Sequence, residues 1–310
     1  MEKIKVLSVN ISEKKGTTKH PVESITINEI GIPEDAHSGN WHRQESMLGM
    51  ESIEKFSKDA KRKINFGEFA ENITTQGFIL YESSILDRFE INDTILEVTQ
   101  IGKECHGTKC AIYKEVGNCV MPKEGIFCRV IKGGTIKAYD EIFYHPKVFK
   151  IGIITLSDRA SRGEYADRSG PRIQEIITNH FTDTKRKTEI DYTLIPDDQQ
   201  LLKKKLTEYK KNNFDIIFTT GGTGIGSKDF TVDVVKPIMD KEIPGIMDFI
   251  RYKYGSEKPN ALISRSVAGI IGKTMIFTLP GSVKAVDEYM AEITKVLNHL
   301  ILMIHDIDAH

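Results

Sequence analysis

The stretch Thr219-Thr220-Gly221-Gly222-Thr223-Gly224-Ile225-Gly226-Ser227-Lys228-Asp229 decides the predicted fold of the second half of this chain. It follows Asp215-Ile216-Ile217-Phe218, a short and mainly apolar run that is typical of a buried parallel strand. Glycine removes the Cβ barrier to positive φ, so consecutive backbone N–H groups of such a loop can converge on an anion. Thr231 then has the position of a helix cap, and a helix N-terminus adds partial positive charge. We predict a phosphate-binding loop, with a tight strand-to-helix turn as the competing interpretation.

Outward from this loop, strand patterns alternate with amphipathic helical patterns. The strand patterns cover Val148–Leu156, Glu189–Ile195, Asp215–Thr220 and Thr274–Leu279. Apolar residues recur at helical spacing in three places. One pattern begins at Ser169-Gly170-Pro171, one follows Asp198 as a cap, and one covers Val283–Ile304. This alternation predicts a three-layer α/β/α domain with a mainly parallel sheet over residues 147–310.

The first part of the chain has a different pattern, in which short strand-like runs alternate with turns. The runs are Ile4–Val9, Ser24–Ile27, Thr94–Val98, Phe127–Ile131 and Glu141–Tyr144. Few helical stretches separate them, and the pattern changes after His145-Pro146. We therefore predict a β-rich barrel over residues 1–146.

Composition limits the classes of protein to consider. The 310 residues include 43 Lys and Arg against 44 Asp and Glu, so no basic excess indicates a nucleic-acid partner. The chain is long enough for two domains with separate cores. Its start carries no apolar core of signal-peptide length, and no segment has the apolar length that spans a bilayer. We expect a cytoplasmic location and no membrane partner.

The cysteines fall in one short region, at Cys105, Cys110, Cys119 and Cys128. In a reducing compartment this clustering favours thiols or a metal site over a disulfide framework. Their spacing matches neither a zinc ribbon nor a ferredoxin pattern, so a cluster held by cysteines alone is the weaker alternative.

Polar residues follow the strands of the second half, where ligands of an open α/β sheet bind. Ser157-Asp158 follows the first strand, Asp197 the second, Asp229 the third and Gly281-Ser282 the fourth. Carboxylates beside a phosphate repel it unless a cation lies between them. We therefore predict that Asp197 and Asp229 share a Mg²⁺ ion. Helix capping is the alternative role for each aspartate.

These separated motifs resemble the MogA/MoaB family of molybdenum cofactor biosynthesis proteins, which includes the G domain of gephyrin. The motifs are Ser157-Asp158-Arg159, Asp167-Arg168-Ser169-Gly170-Pro171, Ile195-Pro196-Asp197-Asp198, Thr219 to Gly224 with Lys228-Asp229, Ile243-Pro244-Gly245, Ser264-Arg265 and Leu279-Pro280-Gly281-Ser282. The resemblance covers about residues 148 to 305. Two positions depart from the family's usual pattern, which has Pro-Arg or Arg-Arg at Ser227-Lys228 and Pro at Val283.

The resemblance implies adenylylation of molybdopterin by Mg-ATP, with Asp197 and Asp229 as the catalytic carboxylates. It also implies a trimer of the second domain, and other molybdenum cofactor biosynthesis proteins or molybdoenzymes as partners. The substrate-binding positions that it implies are Ser157, Asp158, Gly221, Gly222, Thr223, Gly224, Lys228, Ser264, Gly281 and Ser282.

Three glycine-bearing stretches of the first part resemble the MOSC domain, found in molybdenum cofactor sulfurases and the amidoxime-reducing component family. The stretches are Gly31 to Gln44, Gly67 to Thr74 and Gly102 to Cys105. The resemblance implies binding of molybdenum cofactor, or of sulfur bound for it, with Cys105 as a ligand of molybdenum or a sulfur carrier. Asp35, His37, Arg43 and Asn72 complete the predicted site.

Three functional hypotheses follow. The main one is an enzyme, molybdopterin adenylyltransferase, with an MOSC unit that handles a later form of the cofactor. The second is a carrier that stores or hands over molybdopterin or molybdenum cofactor without turnover, and the third is a scaffold. Intact Asp197 and Asp229 favour the enzyme, because a carrier would tolerate their loss.

Overall fold

The computed structural model describes residues 3–104 and 119–307. The chain forms two compact units, Met1–Lys147 and Val148–His310. The strands of the first unit are β1 Ile4–Ile11, β2 His20–Val22, β3 Ser24–Ile27, β4 Glu45–Gly49, β5 Ile73–Gln76, β6 Arg88–Ile91, β7 Thr94–Ile101, β8 Ile126–Lys132, β9 Gly134–Lys137 and β10 Glu141–His145. Its helices are α1 Met50–Ala60 and α2 Met121–Glu124, with a 3₁₀ turn at Leu80–Glu82.

Within the described residues, seven strands of the first unit close into a barrel. Their order is β10-β6-β7-β8-β4-β5-β1, and β10 pairs again with β1 to complete the ring. Strand β2 extends the sheet beside β1, while β3 and β9 form a separate two-stranded sheet. The predicted barrel is therefore confirmed.

Apolar side chains fill the barrel because alternate positions of its strands point inward. Met47, Phe89 and Leu96 are fully buried in this core. Helix α1 packs outside the barrel wall, where Phe56 meets Phe69 edge-on at 5.1 Å between ring centroids. This helix was not predicted from the sequence, and its apolar face forms one side of a second, smaller apolar cluster.

The second unit is built on one sheet with helices. Its strands are β11 Val148–Leu156, β12 Lys187–Ile195, β13 Ile216–Thr220, β14 Lys241–Glu242, β15 Ala268–Ile271 and β16 Thr274–Leu279. Its helices are α3 Asp158–Ser161, α4 Ser169–Asp183, α5 Gln199–Lys211, α6 Thr231–Val235, α7 Pro244–Gly255 and α8 Val283–Ile304, with 3₁₀ turns at Lys236–Ile238 and Pro259–Ile263.

The sheet is mixed. In the part of the chain that the structure describes, its order is β12-β11-β13-β16-β15-β14. The first four strands are parallel, whereas β15 is antiparallel to both β16 and β14. The sequence predicted the parallel strands and missed the antiparallel pair at the edge.

Helices cover both faces of this sheet, since successive residues of a strand face opposite sides. Phe149 of β11 packs against Phe181 of α4, with ring centroids 4.9 Å apart. On the other face, a Cβ on Gly152 would lie 2.3 Å from the ring of Tyr209 in α5. The carboxyl ends of β11, β12, β13 and β16 therefore lead into loops at one edge of the layered unit.

Two predicted helix caps have different outcomes. Asp198 caps α5 as expected, because its carboxylate accepts the N–H groups of Gln200 and Leu201. Thr231 does not cap α6; it is the first residue of that five-residue helix. Its hydroxyl instead donates to the Gly221 carbonyl at 2.8 Å and ties the helix to the glycine loop.

Candidate functional site

The loop after β13 needs glycine at two positions. Gly221 has φ +101°, and a Cβ there would lie 2.4 Å from the Leu156 carbonyl oxygen. Gly222 has φ +65°, and its Cβ would lie 2.5 Å from the Thr231 hydroxyl. Positive φ and the close backbone approach both exclude ordinary side chains.

Backbone N–H groups in this loop are available to a ligand. The Gly221 N–H donates to Leu279 O at 3.0 Å, which anchors the start of the loop. Among the described residues, none accepts a hydrogen bond from the N–H groups of Gly222, Thr223 or Gly224. Thr223 is nevertheless buried. Gly222 and Gly224 are half-buried. Backbone donors in such positions are normally paired, so three consecutive unpaired ones form a cradle suited to an anion.

Arg265 fixes the shape of this cradle, and the site predicted from sequence did not include it. Its Nε donates to Gly224 O at 2.7 Å, and its Nη2 donates to Asp229 O. Its own N–H donates to Thr223 O. The guanidinium also pairs with Asp233. The motif Ser264-Arg265 was the signal that could have identified this role.

Two predicted site residues meet at the ends of β11 and β12. The Asp158 N–H donates to Asp197 Oδ2 at 3.1 Å, and the Asp197 N–H donates to Asp158 Oδ1 at 3.0 Å. Lys228 of the glycine loop contacts Asp158 Oδ2 through its ammonium, at 2.5 Å. This ammonium lowers the pKa of Asp158, with a further contribution from the Asp197 N–H. Three neighbouring strand ends thus contribute to one charged cluster.

Asp229 lies in the same loop but has a different partner. Its Oδ2 accepts the Gly226 N–H at 2.8 Å and would be 2.6 Å from a Cβ on Gly224. No contact between described residues joins it to Asp197. Within residues 3–104 and 119–307, no group of three or more His, Cys, Asp or Glu is arranged to hold a metal ion.

A cavity of about 460 Å³ opens between the ends of β11 and β16. Ser157, Gly281 and Ser282 line it, as does Tyr165, whose hydroxyl lies 2.9 Å from Ser157 Oγ. Ser282 also caps α8 by accepting the N–H of Ala285. The cavity therefore brings Ser157 of the first strand end together with Gly281 and Ser282 of the fourth, whereas Asp158 does not line it.

Ser264 is placed elsewhere. Its hydroxyl lies 2.9 Å from Ser266 Oγ and accepts from the Tyr289 hydroxyl at 3.1 Å. These contacts connect the segment before β15 to α8. Ser264 does not line the cavity of the strand ends, so its predicted role in substrate binding has no support from these contacts.

Asp167 organises one wall of this cavity and was also missing from the predicted site. Its carboxylate accepts from the hydroxyls of Thr155, Ser169 and Tyr192. Burial alone would raise the pKa of Asp167, but these hydrogen bonds outweigh it and lower the pKa. The carboxylate is thus held ionised at the start of α4, where it fixes the cavity wall.

The first unit has its own cavity, of about 350 Å³, outside the barrel wall. Of the predicted residues, His37, Arg43 and Asn72 line it. Lys15 and Lys103 line it too, and sequence reasoning had not assigned them to the site. Arg43 stacks on Trp41 at 4.9 Å, and Lys103 lies over Phe127. Three basic side chains around one cavity favour an anionic ligand.

Asp35 lies behind this cavity rather than in it. It is buried in an ion pair with Lys19, and its Oδ1 accepts the His37 N–H at 2.9 Å. Burial alone would raise the pKa of Asp35, but the hydrogen bonds from His37 and Lys19 outweigh it and lower the pKa. The structure shows that Asp35 holds the backbone at His37, and its direct role in the site stays a prediction.

The predicted thiol cannot be placed, because Cys105 lies outside the described residues, as does Cys110. Molybdenum ligation at Cys105 therefore stays a prediction. Cys128 is fully buried beside Met47, and burial raises the pKa of its thiol well above the ordinary value. Cys128 is an inert core residue.

A buried carboxyl inside the barrel has a consequence for stability. Glu45 is 1% exposed and packs against Gly31. Burial raises the pKa of Glu45 to about 8, although the Lys19 ammonium opposes the shift. The folded protein therefore holds a proton that the unfolded chain releases near its ordinary pKa of 4.5. This group's contribution to stability is present below pH 4.5 and is lost as the pH rises towards 8.

We predict that Glu45→Gln removes this pH dependence, because glutamine stays neutral throughout. The free energy of unfolding of the wild type should fall by about 4 kcal/mol more than that of the variant between pH 5 and 8.5. Urea unfolding of the full chain across this range measures the difference. Glu54→Gln, at an exposed position of α1, is the control. Parallel curves for Glu45→Gln and the wild type would contradict the assignment.

Two known families match the two units. Residues 152–299 match the family called probable molybdopterin binding domain, and residues 34–143 match the MOSC domain. The molybdopterin adenylyltransferase of Pyrococcus furiosus is 36% identical over 160 residues, which cover 50% of this chain and 91% of that protein. The chain belongs to the MogA/MoaB molybdopterin-binding family and also carries an MOSC domain.

This MogA/MoaB-family chain has relatives of different sizes. Gephyrin of Dictyostelium discoideum is 34% identical over 160 residues, which are 50% of this chain and only 22% of gephyrin. The solved MoaB of Thermus thermophilus is 33% identical, covering 51% of this chain and 97% of its own, with a TM-score of 0.46. Membership places the chain among proteins of molybdenum cofactor biosynthesis. No helix in the described part of the chain is both long and apolar enough to cross a membrane.

Proposed function

We propose that the second unit adenylylates molybdopterin with Mg-ATP. The observation that carries this proposal is the row of unpaired N–H groups from Gly222 to Gly224, beside the Asp158 and Asp197 carboxylates. An anion cradle next to acidic side chains suits a reaction in which phosphates and a divalent cation meet. The names of the P. furiosus and other relatives support the same activity.

The proposed reaction is a phosphoryl transfer. An oxygen of the terminal phosphate of molybdopterin forms a bond to the α-phosphorus of ATP. The bond from that phosphorus to the bridging oxygen breaks, and pyrophosphate leaves with the electron pair. Both reactants are anions, so the residues must position them and neutralise charge, and no protein nucleophile is needed.

The chain's residues divide these tasks. The N–H groups of the glycine loop hold a phosphate, and Arg265 keeps the loop in shape. Asp197 and Asp229 remain the proposed catalytic carboxylates, and Asp158 joins Asp197. Their oxygens suit Mg²⁺, which takes one or two carboxylates plus phosphates and would supply charge neutralisation. In the structure the Lys228 ammonium occupies a position at Asp158 that a metal cation would take.

Purified full-length protein incubated with molybdopterin, ATP and Mg²⁺ tests the proposal. We expect adenylylated molybdopterin and pyrophosphate in equal amounts, detected by chromatography. Tight molybdopterin binding with no nucleotide product would instead support the carrier hypothesis. Absence of both would reject the proposal for this unit.

We propose that the first unit binds molybdenum cofactor, or sulfur bound for it. Its cavity carries Lys15, Arg43 and Lys103, which match a phosphate-bearing, anionic ligand. Asn72 shapes the cavity wall, because its Oδ1 accepts from the Ser46 hydroxyl at 2.8 Å. The match of residues 34–143 to the MOSC domain supports this assignment.

Cys105 is the proposed reactive thiol of this unit, two residues after Lys103. We predict that Cys105→Ser eliminates molybdenum retained by the full chain, or sulfur transferred from it, because only a thiolate serves either role. Metal analysis and a sulfur-transfer assay measure the two outcomes, with Cys119→Ser as the control. If both variants retained molybdenum and transferred sulfur equally, the thiol role would be rejected. The loop of His37 and Arg43 would then be the proposed site.

We also propose that the chain forms a homotrimer in the cytoplasm and works with other proteins of cofactor biosynthesis or with molybdoenzymes. The second unit exposes several large apolar side chains, which support self-association. They are Phe249, Tyr252, Leu262 and Ile263. Light scattering of the purified protein would determine the mass of the assembly.

A further inference from the structure

The carboxylates of Asp158 and Asp197 are held side by side by the backbone. Each accepts the other's N–H, so the ends of β11 and β12 are tied together through both aspartates. Two adjacent carboxylates repel each other unless a cation balances them. A cation at this position therefore stabilises the pair.

Lys228 supplies that cation from a third segment of the chain. Its ammonium lies 2.5 Å from Asp158 Oδ2, although 74% of the lysine side chain is exposed. The backbone beneath it is a tight turn, in which the Asp229 N–H donates to Gly226 O at 3.0 Å. A long, exposed side chain on a fixed turn can leave its partner without moving the loop.

The contact is strong enough to occupy the carboxylate and weak enough to be exchanged. Exposed ion pairs contribute little to stability, because water and salt screen the charges. Lys228 contacts the one Asp158 oxygen that does not accept the Asp197 N–H. A metal ion bound through this oxygen would displace the ammonium, so lysine and metal compete for it.

We propose that Lys228 is the resident counter-ion of the Asp158 and Asp197 pair, and that it releases Asp158 to Mg²⁺ and turns to a phosphate of the bound nucleotide. This inference rests on the proposed adenylyltransferase function. Lys228 is a positioning residue in this scheme, because it regulates access to the carboxylates and orients the nucleotide. Metal binding and nucleotide binding then assist each other. The metal takes the place of Lys228 at Asp158, and a nucleotide phosphate becomes the new partner of the displaced ammonium.

Replacement of Lys228 by glutamine should change two affinities in opposite directions. Mn²⁺ replaces Mg²⁺ as the probe, because electron paramagnetic resonance reports its binding to the nucleotide-free, full-length protein. Lys228→Gln should bind Mn²⁺ roughly fivefold more tightly than the wild type, since the competitor is gone. At saturating Mn²⁺, calorimetry should show ATP binding weakened roughly tenfold, since a charged contact to phosphate is lost.

Control variants separate this role from a structural one. Lys236→Gln removes the same charge from a lysine that pairs with Glu242 instead, and it should behave as the wild type in both titrations. Asp197→Asn should weaken Mn²⁺ binding in the wild-type and Lys228→Gln backgrounds alike. If Lys228 were only structural, its replacement would weaken the binding of both Mn²⁺ and ATP. Competition for Asp158 instead predicts tighter Mn²⁺ binding and weaker ATP binding.

Three results would overturn the inference: Mn²⁺ affinity unchanged or lower in Lys228→Gln, ATP affinity unchanged in that variant, or Mn²⁺ binding indifferent to Asp197→Asn. Neither titration requires molybdopterin or turnover. The expected pattern without any adenylylated product would therefore reject the proposed reaction and leave the cation exchange standing.

Discussion

Asp197→Asn is expected to lower the rate of molybdopterin adenylylation by about 100-fold or more, the typical effect of removing a key charge-stabilising group. Asparagine is isosteric, and its side-chain oxygen can still accept the Asp158 N–H, so the two strand ends stay joined. The substitution removes the negative charge that would hold Mg²⁺. Molybdopterin affinity should stay within about twofold, because the backbone cradle is unchanged.

The neighbouring residue provides a matched control. Asp198→Asn makes the same chemical change at a residue that caps α5, and asparagine caps helices as well as aspartate does. Its rate should equal that of the wild type. Single-turnover measurements with saturating ATP give the rate, and a fluorescence titration gives the molybdopterin affinity. A variant Asp197→Asn that lost affinity but kept the rate of the bound enzyme would contradict the catalytic role.

Gly221→Ala should cause the second large effect, through the backbone of the glycine loop. A Cβ at this position would be 2.4 Å from the Leu156 carbonyl, and φ is +101°. Both features force the loop to shift, at a cost of about 3 kcal/mol in the free energy of unfolding. The shift misaligns the N–H groups that follow, so molybdopterin should bind at least about tenfold more weakly.

Gly272→Ala isolates the contribution of backbone conformation alone. Gly272 also has positive φ, at +62°, but a Cβ there meets no atom within 4 Å. It should lose about 1 kcal/mol of stability and bind molybdopterin like the wild type. Chemical denaturation and the same fluorescence titration compare the two variants. Equal effects on binding would show that the loop after β13 is only a turn.

The amino-acid sequence was sufficient for local features with strong patterns. The strands β11, β3 and β16 and the helix α8 have the predicted bounds, since apolar runs or helical spacing end there at turn residues. Strand β4 was missed because Glu45 and Ser46 belong to it and both are buried, which breaks the alternation of apolar and polar residues. The two-residue strand β14 is too short to produce a pattern.

The sequence also predicted several of the residues that the structure brings together, because the polar motifs follow the strands of an α/β unit and such strand ends bind ligands. In the second unit these are the glycine loop, Ser157, Asp158 and Asp197, which the structure places at neighbouring strand ends. In the first unit Arg43 and His37 were predicted from the sequence and line the cavity. Lys15 also lines it but was not predicted, because it belongs to a different loop of the sequence.

Only the tertiary structure decided which of these residues meet. It paired Asp197 with Asp158 instead of Asp229, brought Lys228 to Asp158 from 70 positions away, and placed Arg265 over the glycine loop. These contacts depend on the strand order β12-β11-β13-β16, which brings distant loops to one edge of the sheet. Strand order is set by long-range pairing and by packing on both faces of the sheet, whereas sequence periodicity reports only which face of its own element a residue occupies.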